Sequence, residues 1–292
     1  MKFIGIALII YVCLILFFRF LGYLIIGMNF WKRIKKKPYQ KDYRCFKNKG
    51  IDIQTGRIYS NSNLLYSYLF HINGREGRRV VVLVKGHGCF AVDYQDIIIQ
   101  LIEQGYDVFT YDVTGTGNSE GRSPRGYQQW IIDLEAALKE IETQYKDIYL
   151  LGHSLGGYAA TAVLQTTNIP VRAVVAVSSI NSGTEYAKYL YDCIPNIFTK
   201  QIKITMRNYE KKKFGKYAEY TGLSGINSTD VPVLVIHSKA DKMVPLKCSI
   251  AGYEEQITNS FSKVINLETG GHELLKYSNV REIIIEFFQK HL

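Results

Sequence analysis

Short apolar runs rich in β-branched residues alternate with segments of helical apolar spacing from about residue 43 to the C terminus. Six of these runs predict buried strands: RRVVVLVKGHG, YDVFTYDVTGTG, DIYLLGHS, VRAVVAVSS, VPVLVIHS and SKVINLE. The stretch RIYSNSNLLYSYLFHI predicts antiparallel strands ahead of them. Segments such as YQQWIIDLEAALKEIETQY and VREIIIEFFQK predict helices that cover a sheet. The pattern therefore predicts an α/β fold with a mostly parallel central sheet flanked by helices.

One segment interrupts this alternation. Residues 181–230 lie between two predicted strands and are too long for a plain connection. They are rich in Tyr, Lys and Phe, and we predict that they form a small, largely helical cap within a domain that spans residues 43–292.

The N terminus carries the longest apolar run, FIGIALIIYVCLILFFRFLGYLIIGM. It exceeds the length that a helix needs to cross a bilayer, so residues 1–31 predict a membrane anchor. Arg19 is costly at the bilayer centre, and we expect its side chain to reach towards the headgroups. A cleaved signal peptide is the alternative, although no A-x-A-like cleavage site follows the run.

The formal net charge of +10 favours contact with anionic surfaces. Many cations lie in residues 32–42, which we interpret as a basic juxtamembrane linker that touches anionic lipid. Nucleic-acid binding is not expected, because no helix-turn-helix, zinc-finger or RNA-binding aromatic pattern is present. Few cations precede the anchor and many follow it, namely Lys32, Arg33, Lys35, Lys36 and Lys37. The positive-inside rule thus predicts a single-pass protein with its domain on the cytoplasmic side.

The five cysteines are scattered, without a Cys-x-x-Cys pair or a histidine spacing typical of a metal site. We expect neither a metal nor another cofactor, and a reducing compartment is the simplest interpretation. The oligomeric state is not indicated by the sequence.

The stretch LLGHSLGGYAAT surrounds one serine with glycines between a predicted strand and a predicted helix. Gly152 and Gly156 leave room for a sharp turn that exposes the hydroxyl of Ser154 above the sheet. Asp241 in KADKMVP and His272 in TGGHE each follow a later strand, at the sheet edge where α/β proteins place their sites. A serine needs a base and an orienting acid to act as a nucleophile, so this order favours a catalytic triad.

These motifs, with GHG after the third strand and YDVTGTGNSEG after the fourth, resemble the α/β-hydrolases of the serine aminopeptidase and monoacylglycerol-lipase-like group. The resemblance covers Tyr43 to Leu292. It implies an oxyanion hole formed by the backbone N–H groups of Cys89 and Leu155. Many relatives have Arg and His where this chain has Thr114 and Thr116, so details of substrate binding are not carried over.

Other polar residues near these motifs have plainer interpretations. We expect His87 and His153 to be structural hydrogen-bonding residues beside the two turns. Asp112 could serve as the acid in place of Asp241, but its loop is better interpreted as a hydrogen-bonded brace.

We therefore predict that the protein is a membrane-anchored serine hydrolase. It would cleave carboxylic esters of small-molecule or lipid-like type through an acyl-enzyme. A serine aminopeptidase is the enzymatic alternative, and it needs an acidic group in the cap to hold a substrate amine. The candidates for that group are Glu185, Asp192, Glu210 and Glu219. A catalytically silent hydrolase fold that serves as a binding module is the alternative of another class. The natural substrate is not specified.

Overall fold

The structure is a computed structural model that describes residues 2–35, 42–75, 77–190 and 196–292. Within these ranges eight strands form a single sheet. They are β1 (Asp52–Ser60), β2 (Asn63–His71), β3 (Arg79–Val84), β4 (Asp107–Tyr111), β5 (Asp147–His153), β6 (Val171–Val177), β7 (Val233–Ser238) and β8 (Lys263–Leu267). Their spatial order is β1-β2-β4-β3-β5-β6-β7-β8. The first two strands pair antiparallel, β2 also pairs antiparallel with β4, and all later neighbours are parallel.

Helices cover both faces of the sheet. They are α1 (Lys2–Phe30), α2 (Arg44–Lys47), α3 (Gln95–Glu103), α4 (Gln129–Ile141), α5 (Leu155–Ala162), α6 (Gly183–Leu190), α7 (Asn196–Phe214), α8 (Gly222–Ile226) and α9 (Ser278–Lys290). The residues of β4 and β7 are all buried, as expected for parallel strands with helices on both faces. The predicted fold class, a mostly parallel α/β sheet flanked by helices, is confirmed.

The segment between β6 and β7 contains α6, α7 and α8, and Tyr186 of α6 lines the same cavity as Ser154. Ile202 and Met206 of α7 are buried in the main core, so the segment packs on the domain as a cap. Asp192, a candidate acidic residue of the cap, and Cys193, one of the five cysteines, lie outside the described residues.

The apolar helix α1 has an exposed part and a docked part. By length and composition, residues Phe3–Met28 are sufficient to cross a membrane. The C-terminal part packs beside α7 in the same direction: Phe18 stacks on Phe198 at 4.3 Å between ring centroids, and Tyr23 meets Tyr209 at 5.7 Å. Arg19 donates a hydrogen bond to Gln201 at 3.1 Å, which gives this charge a polar partner in the cap.

The residues directly after α1 are hydrogen-bonded to the loop that follows β4. The Arg33 guanidinium donates to the carbonyl oxygens of Gly117, Ser119 and Gly121 at 2.6–2.7 Å. The backbone of Ile34 exchanges hydrogen bonds with the same loop. Arg33 therefore holds the domain, a role different from the lipid contact predicted for the linker. Lys36, Lys37 and Lys41 of that linker lie outside the described residues.

The cap contains a buried acid, Glu210, which accepts a hydrogen bond from Thr184 at 2.8 Å. Burial raises the pKa of the Glu210 carboxyl to about 7 from an ordinary value of 4.5, despite hydrogen bonds from Thr184 and Gln128. The folded protein thus holds a proton that the unfolded chain releases. The neutral Glu210 carboxyl therefore contributes to the free energy of unfolding. This contribution is fully present below pH 4.5 and is lost as the pH rises through 7.

We expect Glu210→Gln to stabilise the protein at pH 8.5, where the wild-type carboxyl must ionise while buried. The gain is roughly 3 kcal/mol, from 1.36 kcal/mol for each tenfold change in proton affinity. Chemical denaturation at pH 5 and pH 8.5 measures it, and the gain should shrink at the lower pH. The exposed Glu219, which pairs with Arg207 and Lys211, provides the matched control Glu219→Gln, for which no gain is expected. An equal gain for Glu210→Gln at both pH values would contradict the prediction.

Candidate active site

Ser154 occupies a strained turn between β5 and α5. Its φ of 54° and ψ of −118° are unusual for a residue with a side chain, and the backbone is held by a 2.8 Å hydrogen bond from Ser154 N to Val177 O. A Cβ on Gly156 would overlap the carbonyl of Val84, and one on Gly152 would overlap the backbone of Gly156. The glycines therefore permit a close approach that lifts the serine above the sheet edge.

Asp241 and His272 meet at the same edge, although 31 residues separate them. Asp241 follows β7, and His272 follows β8 after Gly270 and Gly271, whose φ values of 114° and 65° shape the turn. His272 Nδ1 lies 2.8 Å from Asp241 Oδ2. Because the carboxylate accepts, Nδ1 carries the proton and Nε2 is left as the basic nitrogen.

The Asp241 carboxylate is well supplied with donors. Its Oδ1 accepts the backbone N–H groups of Met243 and Val244, both at 2.9 Å. Burial opposes ionisation of this carboxyl, but the hydrogen bonds from His272 and Val244 outweigh burial and lower its pKa below the ordinary value. The acid is thus held as a carboxylate that can orient the histidine.

Ser154 and His272 both line one cavity of about 300 Å³. Its other lining residues are Phe30, Gly86, His87, Cys89, Tyr127, His153, Leu155, Ile180, Tyr186, Met243, Val244 and Glu273. The lining combines an apolar wall with a few polar groups at the serine, which is typical of a small-molecule site.

The two expected oxyanion donors differ in their surroundings. Leu155 is the first residue of α5, where a backbone N–H has no partner within its helix. The Cys89 N–H already donates to Gly86 O at 3.3 Å within its turn, so it must share or break this bond to serve an oxyanion. Burial raises the pKa of the Cys89 thiol to about 11, and the thiol is therefore not a ready nucleophile.

His153 lies beneath His272 and connects two parts of the site. Its Nε2 is 3.1 Å from the backbone oxygen of His272, and its Nδ1 is 3.0 Å from the Tyr94 hydroxyl, which also accepts the Gly86 N–H. The carbonyl acceptor places the proton of His153 on Nε2. Burial, with the charge of His272, lowers the pKa of His153 to about 4, which keeps its ring neutral. His153 thus has hydrogen bonds consistent with the structural role expected for it.

Asp112 lies outside the cavity and forms a buried ion pair with Lys85 at 3.0 Å. The carboxylate also accepts the Asn118 N–H and the Tyr68 hydroxyl. Since Lys85 directly precedes Gly86, the pair lies next to the turn that carries Cys89. These contacts are those of the hydrogen-bonded brace predicted for this loop.

Sequence reasoning missed several cavity residues, and Phe30 above all. This last residue of α1 is 3% exposed and packs against Tyr127 and His87, with ring centroids 4.6 and 5.5 Å away. An apolar residue at the end of a long apolar run carries no signal that distinguishes it from its neighbours. Glu273 was also missed, although its position beside His272 could have indicated it.

Comparisons with known proteins point to the same fold. A family model described as serine aminopeptidase, S33, matches residues 75–219. A putative esterase/lipase of Mycoplasma genitalium is 22% identical over 42% of this chain and 46% of its own. A proline iminopeptidase of Flavobacterium johnsoniae is 24% identical over 46% of each chain, so the chain spans about half the length of these curated relatives. The structure of a Pyrococcus furiosus esterase superposes with a TM-score of 0.66 at 18% identity, over 89% of this chain and 99% of that one.

Proposed function

We propose that this chain, a member of the α/β-hydrolase superfamily, is a membrane-anchored serine hydrolase that cleaves carboxylic esters. One observation carries the proposal: His272, oriented at 2.8 Å by Asp241, lines the same cavity as the strained Ser154. The arrangement combines a nucleophile, a base and an orienting acid, which are the parts required for acyl transfer.

In the proposed reaction, Ser154 Oγ attacks the ester carbonyl and His272 Nε2 accepts its proton. Asp241 holds the tautomer and stabilises the imidazolium, while the Leu155 N–H at the start of α5 faces the oxyanion. His272 then protonates the leaving alcohol, and an acyl-enzyme remains on Ser154. Water activated by the same histidine releases the acid and restores the serine.

The surroundings of the acidic cap residues favour esters over peptides. Glu185 accepts hydrogen bonds from Asn181 and Tyr253, and Glu210 is buried beside Thr184. Glu219 is paired with cations at the surface. None of these three lines the cavity, so none is placed to hold a substrate amine.

Glu273 supports the aminopeptidase alternative, because it is one of the residues that line the cavity beside His272. A carboxylate there could pair with a substrate ammonium group. Aminoacyl amides therefore belong in the test beside simple esters. A preference for these amides that Glu273→Gln removes would favour the peptidase over the esterase.

The proposal is tested with the full chain in neutral detergent. A fluorophosphonate probe should label the protein, and p-nitrophenyl esters should be hydrolysed faster than aminoacyl amides. Absence of both labelling and turnover would favour the silent binding module.

The membrane part of the proposal rests on α1, whose exposed apolar residues from Phe3 to Phe20 span about 27 Å, close to the hydrocarbon thickness. The docked end of α1 favours retention of this helix over cleavage, because Phe30 closes the cavity wall. The cations that follow the anchor support a cytoplasmic position of the domain.

Phe30 is expected to limit acyl-chain length. Phe30→Ala should raise the ratio of kcat/KM for p-nitrophenyl octanoate over acetate by at least about tenfold, because the opened wall admits further methylene groups worth about 0.8 kcal/mol each. Steady-state kinetics across a chain-length series measures the ratio. The control Phe20→Ala removes an exposed aromatic ring of the same helix and should leave the ratio unchanged. An unchanged ratio in folded Phe30→Ala would remove Phe30 from the acyl site.

A further inference from the structure

A second cavity, of about 540 Å³, lies where α1 meets α7 and the loop before α4. It is lined by Tyr23, Trp31, Arg122, Ser123, Arg125, Tyr209, Lys212 and Lys213. Four of these eight residues are cations, three are aromatic, and none is acidic. This composition suits an anion with an apolar neighbour, and it differs from that of the catalytic cavity.

The four cations have no carboxylate partner within the described part of the chain. Two other cations of α7 are different, since Arg207 and Lys211 both pair with Glu219. Partial burial and the nearby charge of Arg125 lower the pKa of the Lys213 ammonium. The cavity therefore concentrates positive charge, and no carboxylate among the residues that the structure describes pairs with it.

The backbone around this cavity is held in place. Arg125 has a φ of 67°, a left-handed conformation that is uncommon for a residue with a side chain. Its N–H donates to Phe30 O at 3.0 Å and its carbonyl accepts the Tyr209 hydroxyl at 2.9 Å. The turn thus joins the end of α1 to α7, and it presents Arg122 and Arg125 on either side of Ser123 and Pro124.

The cavity also lies at a particular height along α1. Tyr23 comes about 4.5 Å along the helix after Phe20, the last exposed residue before the buried positions of α1 begin at Gly22. Trp31 follows the helix end. Tyr and Trp are the residues that favour the membrane–water interface, where lipid phosphates lie. A phosphate of the adjoining leaflet is therefore within reach of the cations.

We propose that this cavity binds a phosphate group, with Arg122, Arg125, Lys212 and Lys213 as its cationic ligands. Guanidinium groups match phosphate oxygens with paired hydrogen bonds, and lysines add point charges. The Ser123 hydroxyl and the aromatic rings of Tyr23 and Trp31 complete the walls. An anionic phospholipid headgroup or a soluble phosphate compound supplies the same chemistry, and the position beside α1 favours the headgroup.

The test uses the full chain in neutral detergent and follows the thermal midpoint Tm with three probes: inorganic phosphate, dihexanoyl phosphatidylglycerol and dihexanoyl phosphatidylcholine. A ligand that binds only the folded state raises Tm. The test variant is Arg122→Gln with Lys213→Gln. The matched control is Lys200→Gln with Lys203→Gln, which removes the same charge from exposed positions on α7 outside the cavity.

We expect phosphatidylglycerol to raise Tm for the wild type and the control, and phosphatidylcholine to have little effect. In the test variant the dissociation constant should rise roughly 25-fold, or about fivefold for each cation removed. Stabilisation by inorganic phosphate alone, lost in the same variant, would also support the site and would indicate a soluble ligand. The proposal is overturned if neither anionic probe stabilises the protein, or if both double variants lose the effect equally. Tm without ligand reports whether each variant folds.

Discussion

Replacing Ser154 with alanine should lower ester turnover by roughly a millionfold and abolish fluorophosphonate labelling, which is the largest effect expected for any single substitution here. The change removes only the hydroxyl oxygen, and alanine bears the same backbone strain as serine at a φ of 54°. The thermal midpoint should therefore change little. Loss of turnover without loss of structure would identify the hydroxyl, and not the turn, as the reacting group.

Ser228→Ala is a suitable control for this experiment. Ser228 lies outside the cavity and donates to Gly225 O at 2.8 Å, so its loss should affect neither labelling nor rate. Persistent labelling of Ser154→Ala, with turnover near that of the wild type, would refute the assignment of the nucleophile and, with it, the proposed mechanism.

Asp241→Asn should lower kcat by about ten-thousandfold, because an amide cannot hold the His272 tautomer or stabilise its cation as the carboxylate does. Asp112→Asn should behave differently. It leaves Lys85 without its 3.0 Å partner, and breaking a buried ion pair costs about 3–5 kcal/mol of stability. Its rate per folded molecule should remain much closer to that of the wild type.

Burst titration with a slow ester, combined with thermal unfolding, separates these two outcomes. The burst counts competent sites, and the subsequent rate is then expressed per site. If folded Asp112→Asn loses more rate per site than Asp241→Asn, then Asp112 is the catalytic acid and the present assignment is wrong.

The sheet and the order of the candidate triad could be predicted from the sequence, because both depend on local patterns. Ser154 is marked by its glycines, and Asp241 and His272 each follow a recognisable buried strand. Parallel strands bring such turns to one edge whatever their separation along the chain. The helices of residues 181–230 were predicted from the length and composition of that segment.

Contacts between distant segments could not be predicted. Nothing in the apolar pattern of α1 shows that Phe30 lines the cavity at Ser154, nor that Arg33 donates to three carbonyl oxygens more than 80 residues away. The partners of His153 were also hidden, since they depend on how a Tyr94 hydroxyl and the His272 carbonyl meet in space. Such contacts are set by packing and leave no periodic signal.

The hydrogen bonds of Arg33 and Ile34 to the loop after β4 restrict how the domain can move relative to α1. A flexible linker would let a domain change its distance from the bilayer. Here the hydrogen bonds of Arg33 and Ile34 to the domain begin three residues after Phe30, so no flexible linker separates α1 from these contacts. In the proposed membrane-bound state, α1 therefore holds the domain at a fixed distance from the bilayer. Adding one helical turn between the lipid-spanning part and Phe30 would lift Ser154 by about 5.4 Å and leave the domain on nearly the same side of the helix, because a full turn restores the helix face. The distance from lipid to serine is therefore built into the register of α1.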